Sequence, residues 1–572
     1  MNLFLNSFKL LNSKEKFNLL IIFFLITVSS ILEMIGIGLI LPLLTLIIDD
    51  NYFFNNEIIN IIKVQLNINN KNEFMLLILI LVILANLIKA IFLTLTAWKQ
   101  AKDISQIHIR FTNKLYLDYI KSPWEFLMYK NSGTLLRNIH SSTHEFTSKI
   151  LTSYIQIATE LVMLIFVTSM LIFVELKITI ISIFFLLVVG FLSQSITKKY
   201  NYKFGEIRQK NLQWINKHLI ETFRSFKLIK VFNKESIFSK KYHEVSSNEI
   251  IAKTTQDIFN RLPRIWIEFL TISVICIVII ISSKYNENFT EFVPLIGLFV
   301  AASYKLLPSL SRILNTMQSL RFAKPAVDDL QKEIEEINKK NYQEIKKTQI
   351  EEINFNKNII IENISYTYGN SKIDVFKNFT YEIKKDKVLG VIGASGSGKS
   401  TLIDLLMGII NPQSGNIYVD DKNIKNITKS WQRNIGYVPQ DTYLLDESIK
   451  NNIAFGIPEK LINIKKINEI IASLGLKKMI DDLPYGIESY VGDNGVKLSG
   501  GQKQRLGLAR ALYISPKIII LDEATSALDI ENEEKILKLI GGIKNKISII
   551  IISHRESIFP YCDQILNLDQ AK

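Results

Sequence analysis

The sequence predicts a multidomain membrane protein. A six-helix, all-α transmembrane domain spans residues 1–325, a charged connector 326–351, and an α/β domain 352–572. Three observations carry that reading. Six long apolar runs fill the first 315 residues, the texture then turns polar and charged, and short strand-like runs beyond it alternate with helical patterns. The last is the mark of an α/β domain with a mainly parallel sheet.

The six runs cover about 19–48, 74–97, 150–173, 178–196, 264–282 and 292–315. Each is close to or above the ~20 residues a hydrocarbon core requires. Successive long runs without a polar face exclude six core helices of a water-soluble protein. A length of 572 residues, 48% of them hydrophobic, fits spans joined to a polar domain. The first run is too long for a cleavable signal peptide, so none is expected.

Orientation follows from the loops. Those after the second and fourth runs are long and basic, with Lys99, Lys102, Arg110, Lys114 and Lys121, then Lys198, Lys199, Lys203, Arg208 and Lys210. The loop after the fifth, "NENFTE", is net acidic. The positive-inside bias puts both termini and the long loops in the cytoplasm. Much of the +14 net charge reflects a composition rich in Lys, Asn and Ile. No interleaved aromatic platform accompanies it, which argues against a nucleic-acid partner. Cys276 and Cys562 are too few and too far apart for a disulfide framework or a metal site.

The polar domain carries its chemistry in "GASGSGKST", residues 393–401. It follows the strand-like "KVLGVIG" and precedes the helix-like "TLIDLLMGI", the setting a P-loop needs. Gly393, Ser395, Gly396, Ser397 and Gly398 let backbone N–H groups curl around phosphate oxygens at a helix N-terminus, with Thr401 closing the motif. Lys399 reaches the β- and γ-phosphates, and Ser400 places its hydroxyl on Mg²⁺. A second apolar strand, "KIIILDEAT", ends in Asp522 and Glu523. Asp522 suits a Mg²⁺-water contact, and Glu523 suits orienting or deprotonating an attacking water. Without the P-loop, an ordinary acidic strand end would explain both.

With "LSGGQ" at 498–502, the set resembles the ATPase domain of ABC transporters over most of 352–565. The resemblance implies that Tyr368 in "ISYTY" stacks on adenine and that Gln440 in "GYVPQ" meets Mg²⁺. It implies that Ser499, Gly500, Gly501 and Gln502 bind the γ-phosphate, that "SALD" with Asp529 is the D-loop, and that His554 is the switch histidine. ATP and Mg²⁺ are the implied cofactors. In that family the signature loop closes over ATP held by a second domain, so one such domain per chain implies a homodimer with two equivalent sites. The sequence given ends with "QILNLDQAK", so the family's final strand and helix are expected to be shortened, a departure that bears on C-terminal regulation and not on ATP binding.

Six spans before one ATPase domain resemble an exporter-type half-transporter. The segments 122–139 and 221–236 resemble its two cytoplasmic coupling loops. No peptidase domain precedes the first span, which argues against a processing peptide exporter.

Four cations fall in the cytoplasmic half of the spans: Lys89, Arg264, Lys305 and Arg312, with Glu160 and Glu268 as candidate partners and Glu33 nearer mid-depth. Three readings compete. Structural ion pairs and snorkelling side chains explain them in one. A cavity for an anionic, lipid-borne head group explains them in the second. A polyspecific drug cavity, the third, favours aromatics and Met instead. The segments "ILEMIGIGLILPLLTLI", "LPRIWIEF" and "YKLLPSLSRI" resemble bacterial flippases of lipid-linked oligosaccharides in N-linked glycosylation. That resemblance implies a basic cavity for a pyrophosphate, contact with membrane lipids, and a short external amphipathic helix, here 56–68. Lysine stands at two cavity-like positions, 89 and 305, where that family has arginine, and a lysine cannot grip phosphate bidentately. A lipid or multidrug exporter is the alternative within transport. An ABC ATPase that gates without pumping is the alternative of another class. His140 and His144, spaced i, i+4 beside Glu145, do not form a metal-protease motif.

Overall fold

The computed structural model describes residues 11–48, 65, 70–285, 289–341, 353, 355–369, 373–524, 542, 547–553 and 555–570. They form two compact units. The first is built from residues up to 122 and from 127–340, and the second from 123–126 and the chain beyond 340.

Every predicted apolar run lies in a long helix of the first unit. The first run is split into α1, Ser13–Gly38, and α2, Ile40–Ile48. Pro42 has no N–H to offer the carbonyl of Gly38, so the break falls where the hydrogen-bond ladder loses a rung. α3 runs unbroken from Lys71 to Ile120, 50 residues and so about 75 Å. Two short helices follow, α4 at Trp124–Met128 and α5 at Ser132–Leu136, and then two π-helical turns at Arg137–Ser142 and Glu145–Leu151. α6, Thr152–Val174, is parted from α7, Leu176–Arg224, by the single extended residue Glu175. After the short α8, Phe226–Val231, come α9, Glu235–Tyr285, and α10, Phe289–Asn341. Among the described residues, the helical segments Ser13–Ile47, Lys71–Ile120 and Ser132–Val174 have the length and apolar character to cross a membrane. Leu76, Ile80, Ile83, Leu87 and Ile91 of α3 are exposed, as lipid-facing side chains must be in a chain without its bilayer.

Pro263 lies within α9, whose first turns are already formed at Glu235. The first part of the charged connector, 326–341, is helical and continues α10. Ala326, Val327, Leu330 and Ile337 are buried there. Glu333 accepts from Lys130 Nζ at 2.8 Å and from the Tyr119 hydroxyl at 3.4 Å. The expected external helix at 56–68 lies outside the described residues, apart from residue 65.

The second unit has two sheets. The antiparallel one has the order β2-β1-β4-β5, with β1 Asn358–Tyr366, β2 Phe376–Lys384, β4 Ser414–Val419 and β5 Lys422–Asn423. The five-stranded one has the order β6-β7-β8-β3-β9, from β3 Val388–Ile392, β6 Ile435–Val438, β7 Ile518–Asp522, β8 Ser548–Ile552 and β9 Gln564–Asn567, every pair parallel. β7 and β8 are nearly all isoleucine because both faces of a parallel sheet are covered. The helices that bear on function are α11 Lys399–Leu406, α12 Ile424–Gln432 and α16 Gly500–Tyr513, the last after the short helices α13 Ile449–Ile453, α14 Ile464–Ser473 and α15 Lys477–Asp481. Trp431 of α12 is fully buried and donates its indole N–H to Leu406 O at 2.8 Å, fixing the end of α11.

Candidate functional site

β3 ends at Ile392, and the chain turns through Gly393–Gly398 into α11. Gly396 has φ +82° and Gly398, the residue before the helix, φ +99°. An added Cβ at Gly398 would stand 2.8 Å from Val375 Cγ1, and one at Gly393 2.6 Å from Ser397 Oγ. The loop therefore requires glycine on steric grounds at both ends. Lys399 is buried, with Nζ donating to the carbonyls of Gly393 at 2.8 Å and Ala394 at 2.9 Å. Ser397 Oγ is buried and makes no hydrogen bond among the described residues. A glycine cradle, a free buried hydroxyl and an ammonium held at a helix start fit a polyphosphate.

The carboxylates stand at the end of β7. Asp522 accepts from the Tyr437 hydroxyl at 3.4 Å, and Gln440 Nε2 donates to Glu523 Oε2 at 2.8 Å. Glu523 has φ +49°, uncommon for a side chain of this size. Its N–H is anchored on Ile552 O at 3.1 Å, so the turn is held from the neighbouring strand. Burial pushes the Asp522 carboxyl up, and the Glu523 charge adds to this, while the Tyr437 hydrogen bond and Lys399 act the other way. Asp404 of α11 is pushed up to about 6 by burial first and by the Asp522 charge second. Such crowding of acids suits a divalent cation. Mg²⁺ takes few protein ligands and completes its octahedron with water and phosphate. Asp522, the Ser400 hydroxyl and the Gln440 amide oxygen supply fitting hard donors.

Tyr368 lies on the segment after β1, its hydroxyl 3.0 Å from Thr401 Oγ1 on α11. Ser499 starts α16 and bonds reciprocally with Gln502: the Ser499 N–H donates to Gln502 Oε1 at 2.8 Å, and the Gln502 N–H to Ser499 Oγ at 3.3 Å. This capping box keeps Gly500 and Gly501 at a well-formed helix start. Its side-chain bonds are local to the segment and do not link it to the loop at 393–401. Asp529 and His554, and Ser395 beyond its place in the loop, add nothing further: the first two lie outside the described residues.

In the first unit, each of the four span cations meets a carboxylate. Glu33 of α1 takes Lys89 of α3 at 3.1 Å and Lys305 of α10 at 3.0 Å. Lys89 also donates to Asn86 Oδ1 at 2.7 Å. Arg312 grips Glu160 of α6 with both Nε and a terminal nitrogen, the latter at 3.0 Å. Arg264 pairs with Glu268 one turn on at 2.7 Å, and both are largely exposed. The His140/His144 pair is joined by His108, whose ring centroid is 5.9 Å from that of His144. Among the described residues no group of three or more His, Cys, Asp or Glu is arranged to hold a metal by itself.

Four side chains at the site were given no role by the sequence reading, although Asp404, Tyr366, Tyr437 and Asp569 lie in segments it quoted. Asp404 and Tyr437 reach Asp522, and Tyr366 packs edge-on to Tyr368 with centroids 5.1 Å apart. Asp569 accepts from the Ala394 N–H at 2.9 Å, so the end of β9 braces the loop. Asp404 was readable as an acid on the buried side of the P-loop helix; the other three are brought in by strand order alone.

Comparison with known proteins bears on the family and the fold. The ABC transporter family matches residues 376–526, and the ABC transporter transmembrane region matches 19–302. The chain is 34% identical over 216 residues to the ATP-dependent lipid A-core flippase of Cupriavidus metallidurans, 37% of this chain and 36% of that one. It is 25% identical over 479 residues to the putative multidrug export ATP-binding/permease protein YgaD of Bacillus subtilis, 83% of this chain and 80% of that one. Several curated relatives are matched over only about 37% of their own length. A bacterial Atm1-family ABC exporter with ATP bound shares the fold at TM-score 0.76 and 19% identity, over 95% of this chain and 93% of that one. Two successive domains of one family, matched in order along most of its length, make this chain a member of the ABC transporters.

Proposed function

We propose that the chain is an ATP-driven exporter that acts as a homodimer in the bacterial inner membrane, with its ATPase domain in the cytoplasm, and moves an anionic amphiphile from the inner to the outer leaflet. One observation carries the ATPase half: the glycine cradle with Lys399 and the acids Asp522 and Glu523 stand at the ends of strands of one parallel sheet. Lys399 and the loop N–H groups bind the phosphates, Ser400 with Asp522 and Gln440 holds Mg²⁺, and Tyr368 packs on adenine. Bound Mg²⁺ offsets charge on the phosphate oxygens. Glu523 orients the attacking water and accepts its proton, with Gln440 fixing the carboxylate. Ser499, Gly500, Gly501 and Gln502 of one subunit, with Asp529 nearby, complete the site held by the other, and His554 contacts the γ-phosphate.

The substrate assigned is a lipid-linked oligosaccharide, its pyrophosphate meeting Lys89, Arg264, Lys305 and Arg312. The flippase name of one relative supports a lipid, and on this reading the head group takes the place of Glu33, Glu160 and Glu268, the carboxylates with which the four cations are paired. The name of the Bacillus relative favours a second reading, drug export. ATP-driven flipping in proteoliposomes decides between them, using a polyprenyl-pyrophosphate glycolipid and a cationic drug, with Lys399→Ala as the inactive control. Glycolipid movement lost in Lys399→Ala supports the assignment; drug movement without glycolipid movement overturns it.

A further inference from the structure

Tyr366 is the last residue of β1 and is 4% exposed. Its hydroxyl donates to Glu125 Oε1 at 3.3 Å. Glu125 belongs to α4, and Pro123–Phe126 groups with the second unit although the rest of its loop does not. On its other side the Tyr366 ring meets Tyr368, with centroids 5.1 Å apart and planes at 86°. The Tyr368 hydroxyl in turn lies against Thr401 of the P-loop helix. Glu125, Tyr366, Tyr368 and Thr401 thus form one continuous line of contacts, from a cytoplasmic loop to the nucleotide loop.

The backbone along this line is braced. The Tyr366 carbonyl accepts from Val375 N at 2.8 Å, and the Thr367 carbonyl accepts from Gln413 Nε2 at 3.0 Å. The Thr367 hydroxyl donates to Asp374 Oδ1 at 2.6 Å. With the backbone of 366–367 pinned, the Tyr368 ring takes its direction from the ring beside it, and an edge-to-face contact is directional. At 3.3 Å the hydroxyl–carboxylate bond is longer than the usual 2.7–2.8 Å for such a pair. A shift of α4 by about half an ångström therefore tightens or opens it.

We propose that Tyr366 is a positioning residue, tying the placement of Glu125 and its loop helix to the orientation of the Tyr368 ring and hence to adenine affinity. This rests on the assignment of Tyr368 to adenine made above. The contact lies at the base end of the nucleotide site, apart from Gln440 and Glu523 at the phosphate end. A core residue and nothing more is the competing role, since Tyr366 also belongs to the apolar cluster under the antiparallel sheet.

Steady-state ATP hydrolysis by the full-length protein in nanodiscs separates the two roles. Tyr366→Phe keeps the ring and removes only the hydroxyl. The expected result is a KM for ATP raised about three- to ten-fold, the range for one hydrogen bond, with kcat within about two-fold. Glu125→Gln should do the same, and the double variant should be no worse than the worse single, because both remove one contact. An unchanged KM in Tyr366→Phe, or effects that multiply in the double variant, overturns the proposal. Two controls isolate the reading beneath it. Full hydrolysis by Lys399→Ala would refute the ATP site itself, and an unchanged KM in Tyr368→Ala would refute the adenine assignment. A raised KM in Tyr368→Ala beside a normal Tyr366→Phe would leave the adenine assignment standing and overturn only the role of Tyr366.

Discussion

Gln440 donates its side-chain N–H to Glu523 Oε2 at 2.8 Å, joining β6's exit loop to the acid at the end of β7. With Glu523 in a left-handed backbone conformation, this bond aims the carboxylate. Glu523→Gln should cut steady-state ATP hydrolysis by about 10²-fold or more, the usual contribution of a general base, while ATP binding persists. Gln440→Ala should lower turnover less, about ten-fold, since it removes one hydrogen bond to a charged group. Stopped-flow phosphate release with equilibrium nucleotide binding measures both. Unchanged turnover in Glu523→Gln would remove the residue from the mechanism.

Glu33 holds Lys89 and Lys305 on helices otherwise far apart in sequence. Its side chain is only 10% exposed, so Glu33→Gln leaves two cations facing each other without their shared counter-ion. Breaking a buried pair in this way costs about 3–5 kcal/mol. The unfolding midpoint of the purified protein should fall by roughly 6 °C or more. Adding Lys305→Gln should recover part of that loss. A scan in detergent that shows no shift would mean that solvent already screens the triad.

Arg264 and Glu268 form an exposed pair one helical turn apart, at the head of the apolar stretch of α9. If Arg264 meets the head group of a lipid substrate, Arg264→Ala should lower glycolipid molecules flipped per ATP hydrolysed by about ten-fold, the weight of one charge-assisted hydrogen bond. An equal fall in flipping and hydrolysis would return Arg264 to a structural ion pair.

Asp404 gives a pH dependence with a defined sign. Its folded-state pKa, about 6, is above the ordinary carboxylate value of 3.8. The fold therefore favours the protonated form. This contribution is fully present below pH about 4 and is lost as pH rises through about 6. In nucleotide-free protein without Mg²⁺, Asp404→Asn should raise the melting temperature at pH 7.5 and change it little near pH 4.5. A benefit independent of pH would show that side-chain packing, not charge, sets the effect.

Much of this protein is legible in its sequence for simple reasons. A P-loop must have glycines where φ is positive and backbone approaches phosphate, so "GASGSGKST" announces Gly396 and Gly398 before any coordinates exist. Buried parallel strands must be apolar throughout, which is why "IIILD" and "SIIII" read directly as β7 and β8. Apolar runs of span length likewise mark the helices of the first unit. The burial of one face of 326–341 was not legible, because Ala326, Leu330 and Ile337 are spaced among charged residues.

What the sequence determined, then, is chemistry that depends on local geometry: the glycine loop, the acidic strand end, the helix-start serine and the hydrophobic runs. Tertiary structure alone decided the partnerships. Glu33 meets Lys89 and Lys305 across separations of 56 and 272 residues, and Tyr366 reaches Glu125 across 241. Both depend on which helices and strands pack side by side. An ion pair or an edge-on ring contact is a short-range interaction, and local spacing carries no record of it when the partners come from distant parts of the chain.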